Sequence, residues 1–139
     1  MKNLLATQIS ALQKSVKKWE NIVAVLEDPD CYVVFESGSE DCACCKEFIH
    51  LGPRGCEGCP VAEKANDISC GGTPYEEWVD AFDRLEIAVG SRSGVRFETK
   101  KERQSLLKPA KKELAFLRNL LEEKTREGRT LVVQLQKVL

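Results

Sequence analysis

The chain has 139 residues, of which 42% are hydrophobic and 31% charged, with a formal net charge of −1. No stretch approaches the ~20 apolar residues of a membrane span. The near-zero total hides a segregation: residues 1–27 carry +2, residues 28–80 carry −9 and residues 81–139 carry +6. Phosphate backbones are bound by basic surfaces, so the acidic middle is excluded as a nucleic-acid contact.

The first element is a helix over residues 3–27. Leu5, Ile9, Leu12, Val16, Trp19, Val23 and Leu26 step by alternating fours and threes, a heptad seam. Lys14, Lys17, Lys18 and Glu20 fall off that seam as solvated positions. Asp28-Pro29 ends the helix, because a residue preceding proline is pushed out of the helical region. Cys31-Tyr-Val-Val-Phe35 is the one strand expected from the sequence.

Residues 28–72 then form a cysteine-rich module. Cys42 and Cys45 make one C-x2-C pair, Cys56 and Cys59 a second, and Cys70 follows. Thiolates two residues apart can address one tetrahedral ion, and two such pairs complete the four-coordinate shell that Zn²⁺ prefers. The expected cofactor is one structural Zn²⁺ held by four of Cys42, Cys45, Cys56, Cys59 and Cys70. His50, the only histidine, is an alternative ligand. Cys44, inside the first pair, is expected to point away from the ion as a small buried hydrophobe, and Cys31 to be core. Few large apolar residues lie between 36 and 70, so the metal would supply the stability a core cannot.

Cys59-Pro60 resembles the end of an iron–sulfur motif but lacks the second pair ahead of it that such a motif needs. A cysteine–histidine nucleophile would require His50 and an orienting group, and none is apparent. The odd cysteine count and the polar start Met1–Gln8, which has no apolar signal region, point to a reducing cytosol rather than a disulfide scaffold.

A third helix is expected over 73–89. It opens on Thr73-Pro74-Tyr75-Glu76, a capping box with proline at the first helical position, and carries an apolar face through Trp78, Phe82, Leu85 and Val89. Gly90–Gly94 reads as a flexible connection. A long helix follows over 98–139, with Leu107, Ala110, Leu114, Leu117 and Leu121 on its stripe; Pro109 and Gly128 are points where it can break. Neither long helix can bury its seam alone. The fold expected is therefore mainly α: first and last helices packed as an antiparallel coiled-coil-like pair, with an inserted zinc-stabilised loop module and a third helix.

The run Cys42-x2-Cys45-x2-Phe48, Cys56-x-Gly58-Cys59-Pro60-Val61 and Cys70-Gly71-Gly72-Thr73-Pro74-Tyr75-x2-Trp78 resembles small cysteine-rich proteins of tailed bacteriophages and some bacteria. The match covers about residues 40–80. It implies a phage or prophage accessory protein in the host bacterial cytoplasm and no particular reaction. With no catalytic constellation in view, the function expected is non-enzymatic: binding and modulating or inhibiting a bacterial or phage protein, as a monomer or as a homodimer through the helices. The partner surface expected is the basic connection bearing Arg92, Arg96, Lys100 and Lys101, which can steer an acidic partner. The alternative is a nucleic-acid-binding module using the basic Arg84–Lys112 surface, and a hydrolase with an open metal position comes third.

Overall fold

The computed structural model describes residues 3–35, 42–48, 55–66, 71–89 and 92–138, with the backbone alone at 86–89, 92 and 93. The chain is mainly helical, and its two long helices pack against each other. Helix α1 spans Leu4–Glu27. Asn3 caps it, accepting from the Ala6 N–H, and Asp28 closes it where the Asp-Pro pair requires.

Helix α5 runs from Lys100 to Val138 without interruption. It opens on a capping box at Thr99, whose Oγ1 accepts from the Glu102 N–H at 3.0 Å and donates to Glu102 Oε1. Glu27 pairs with Lys111 and Glu20 with Arg118, whereas Leu5 and Ile9 lie beside Gly128. Rising numbers on one helix meet falling numbers on the other, so the pair is antiparallel.

Neither Pro109 nor Gly128 breaks α5. Pro109 is buried in a stretch held between α1 and the helix α4 (Pro74–Leu85). Packing on two sides offsets the lost backbone hydrogen bond. At Gly128 a side chain would meet Leu5 and Ile9 only at ordinary contact distance, so the position imposes no break.

The core is one apolar cluster in which α1, α4 and α5 meet. Leu12, Leu26, Trp78, Leu106 and Ala110 are 0% exposed. Trp19 stands edge-on to Trp78 at 5.1 Å and to Tyr75 at 6.1 Å, and Trp78 lies 5.7 Å from Phe82. Edge-to-face aromatic packing places ring edges against ring faces and adds specificity to the buried area.

Two expectations are corrected here. Residues 86–89, read as the end of the third helix, are strand β2, and the supposed flexible connection contributes β3 (Arg92–Arg96). With β1 (Val33–Phe35) they form an antiparallel sheet in the order β1-β3-β2. Leu85 and Val89 fit the apolar face of α4 by spacing, which is why the turn from helix to strand was hidden. Gly94 explains part of the pairing: a Cβ there would sit 2.8 Å from the Phe35 ring, so only glycine lets that ring lie across β3.

Arg103 ties these parts together. Its guanidinium donates to the carbonyls of Leu26, Asp28 and Cys31 at 2.7–2.9 Å and stacks 4.7 Å over Phe97. A cation at the last carbonyls of α1 suits the negative end of that helix.

Candidate metal centre

The cysteine-rich segment is not a plain loop. It contains two short helices, α2 (Ala43–Phe48) and α3 (Pro60–Ala65). Each begins immediately after a candidate ligand. Cys42 precedes α2, its carbonyl accepting from Lys46 N–H at 2.9 Å, and Cys59 is the N-cap of α3, its carbonyl accepting from Glu63 N–H at 3.0 Å. The second pair is closed by a turn in which Cys59 N–H donates to the Cys56 carbonyl at 3.0 Å. Gly58 makes that turn at φ +85°, a conformation side chains rarely adopt, with Phe48 and Leu4 lying against it.

Helix α1 holds this segment through polar residues on its inner side. Gln8, 3% exposed, donates to the Gly58 carbonyl at 2.9 Å and to Glu63 Oε1 at 3.1 Å. One heptad on, Ser15 Oγ lies 3.6 Å from Cys44 Sγ. Lys124 and Lys64 cross-link α3 to α5 through Glu63 and Glu123. Both C-x2-C pairs are thereby brought to one side of the α1–α5 pair.

Their sulfurs interact. The Cys42 thiol is pulled down to about 2, chiefly by hydrogen bonds from the Cys44 and then the Cys45 thiol, with the Cys45 backbone N–H and the Lys18 charge assisting against burial. Cys44 is pushed up because its hydrogen is held by the sulfurs of Cys42 and Cys59. Cys59 is lowered to about 7 by the Cys44 thiol, opposed by burial and helped by the N–H groups of Ala62 and Val61. Cys56 is raised, first by burial and then by the charges of Cys59 and Cys42.

Cys44 is buried as expected, but its sulfur is not turned away from the pair. It joins Cys42 to Cys59, because α2 presents it to Ser15 and to the second pair together. Cys31, expected in the core, is half-exposed. It donates to Asp28 Oδ2 at 3.4 Å and has no part in this cluster.

All six described cysteines carry free thiols. The donor chemistry suits zinc, since soft sulfur ligands with depressed pKa values at Cys42 and Cys59 are what Zn²⁺ binds. The contacts run as a chain, Cys45–Cys42–Cys44–Cys59, rather than as a shell. Among the described residues no group of three or more His, Cys, Asp or Glu side chains is disposed around one point to hold a metal ion. Cys70 and His50 lie outside the described residues.

Sequence reasoning missed a further participant. Glu113 lies on the buried Leu106–Ala110–Leu117–Leu120 stripe of α5, is 3% exposed, and has its Oε2 without a hydrogen-bond partner. Burial, and then the negative charge of Cys42, push its carboxyl up to about 7, with the Lys18 ammonium opposing. The signal was present as a lone acid at a core position of an apolar stripe. Because the folded-state pKa exceeds the ordinary 4.5, the fold favours the protonated form. That stability is fully present below pH 4.5 and is lost as pH rises through about 7. Glu113→Gln should therefore gain about 3 kcal/mol over the parent at pH 8.5, at ~1.36 kcal/mol per unit, and match it at pH 4. Denaturant unfolding at both pH values checks this, and equal stabilities at pH 8.5 would show that the carboxylate is accommodated.

The basic residues are arranged differently from the cysteines. Arg92 and Arg96 lie on β3, and Lys100 and Lys101 in the first turn of α5. Arg96, Lys100 and Lys101 are exposed. Arg96 lines a hollow of about 410 Å³ together with Tyr32, Val33 and Glu98, and Tyr32 is 56% exposed. Elsewhere on the basic stretch, Lys111 and Lys112 are paired with Glu27 and Glu77, and Arg103 is turned onto backbone carbonyls. No helix among the described residues is long and apolar enough to cross a membrane. Comparison with known proteins finds no matching family model, curated relative or solved structure.

Proposed function

We propose that this chain is a non-enzymatic, zinc-stabilised interaction protein, a phage or prophage accessory factor that binds a bacterial protein in the host cytoplasm and modulates or inhibits it. Four of Cys42, Cys45, Cys56, Cys59 and Cys70 would hold the ion, whose role is to stabilise a segment with little apolar core of its own. The observation that carries the binding part is the hollow in which exposed Tyr32, just before edge strand β1, lies beside Arg96 at the end of β3, with exposed Lys100 and Lys101 following a few residues on in the chain. Tyr and Arg are the residue types that dominate binding energy at protein interfaces, and exposed bases steer acidic partners.

A nucleic-acid interface along Arg84–Lys112 is the weaker reading, because Arg103, Lys111 and Lys112 are already engaged within the fold. Replacing Arg92, Arg96, Lys100 and Lys101 with glutamate should abolish partner capture from a bacterial lysate while leaving zinc content unchanged. Acids in the first turn of α5 are favourable to the helix, so the variant should fold. An unchanged set of captured proteins would place the partner on another face. Binding of DNA or RNA with a steep salt dependence would instead support the nucleic-acid reading.

A further inference from the structure

The apolar seam of α5 is longer than the helix it packs on. Its three–four spacing passes from Leu121 through Lys124 and Gly128 to Leu131, Leu135 and Val138. Up to Gly128 the seam is covered by α1: a side chain at that position would come within van der Waals distance of Leu5 and Ile9. Helix α1 starts at Leu4, and beyond that level α5 continues for about ten residues, ~15 Å. On this projection Leu131, Leu135 and Val138 are 48%, 63% and 84% exposed, and Val132 is 54% exposed. The stripe is thus the direct continuation of an interface the molecule already uses.

The charges beside the seam indicate what continues it. Where α5 lies on α1 and α3, its flanks carry bases and acids matched to the opposing helix, as in Lys111–Glu27, Arg118–Glu20, Lys124–Glu63 and Glu123–Lys64. Past Gly128 no such pair is present among the described residues. The positions flanking Leu131, Leu135 and Val138 are Val132 and Gln134, both uncharged, and Arg129 and Lys137 fall on the far side of the heptad. A seam with neutral flanks can meet an identical copy of itself without setting like charges against each other.

We propose that the projecting end of α5 is a two-fold self-association surface, in which residues 131–138 of two copies of this chain pair with Leu135 facing its own counterpart. The contact is isologous, as the closed symmetry of homodimers requires. None of its residues belongs to the cysteine cluster or to the Tyr32–Arg96 hollow, so it holds or fails independently of the binding function proposed above.

Sedimentation velocity on the full chain from about 1 to 200 µM tests it, since mass action drives a monomer to dimer with concentration. The parent should shift from monomer to dimer across that range. Leu135→Glu should weaken dimerisation at least about tenfold, because a charge would be buried at the centre of the contact. Its circular dichroism and dilute-solution melting should not change, because Leu135 is exposed in the monomer. Leu135→Lys should behave likewise, and an equimolar mixture of the two variants should recover the dimer. A parent that stays monomeric at all concentrations overturns the proposal, as does a Leu135→Glu variant that dimerises like the parent. A mixture that remains monomeric rules out the two-fold contact at Leu135.

Discussion

Replacing Leu12 with alanine should destabilise this protein by about 2–5 kcal/mol, as large-to-small changes in closed helical cores do. Leu12 is 0% exposed at the centre of the α1–α5 interface, where the helices are pinned on either side by Glu20–Arg118 and by the Leu5–Gly128 contact. The cavity cannot collapse easily, because a helix of 24 residues against one of 39 moves as a rod. Leu117→Ala, from the opposing helix and 2% exposed, should cost a similar amount. The two effects should fall short of additive if the side chains share one void. Thermal melting would show the loss as roughly 10 °C, at a few degrees per kcal/mol for a chain of this size. Lys17→Ala, at an exposed position of α1, should change stability by less than about 0.5 kcal/mol. A Leu12→Ala variant as stable as the Lys17→Ala control would mean that the α1 seam is not packed as described.

What made α1 and α5 legible is that their information is local and repeated: seven seam positions at one period leave little alternative to a helix, and the Asp28-Pro29 stop is a steric property of two residues. The hairpin was not legible for the opposite reason. Glu86–Val89 continues the helical spacing of α4, and it becomes a strand only because β3 pairs with it on one side and with the distant β1 on the other. The β1–β3 pairing spans about sixty residues of chain, from Val33 to Arg96, which no local pattern encodes.

The cysteine spacing marked residues that could act together; among the described residues they do not gather around one point, and Cys42 is joined to Cys59 only through Cys44. The role of Cys44 could not be read in the same way. Spacing places it on the opposite side of its own helix from Cys42, yet packing of α2 on α1 turns it toward Ser15 and the second pair. Gln8 and Ser15 were hidden for a related reason. They lie beside the main seam of α1, one heptad apart, and a polar residue next to a seam reads as solvated until something polar is found to cover it.

Metal should decide whether the cysteine-rich segment folds. Purified protein should carry one Zn²⁺ per chain, and a chelator should unfold α2 and α3 while leaving the α1–α5 pair helical. In small peptides structural zinc contributes ~10–16 kcal/mol, far more than the short helices α2 and α3 can supply by themselves. Cys59→Ser should lose the ion, because a serine hydroxyl cannot replace a thiolate ligand to Zn²⁺. Cys31→Ala should keep it, since that thiol binds Asp28 beside Arg103 and lies outside the cluster. Cys44→Ala is the discriminating variant. It should also keep the ion, because deleting the thiol whose hydrogen is shared between Cys42 and Cys59 leaves both sulfurs free to act as ligands. Zinc loss in Cys44→Ala, with zinc retained in Cys45→Ser, would make Cys44 itself the ligand. A brown protein containing iron and acid-labile sulfide, or one with no bound metal and an intact fold, would end the zinc reading altogether.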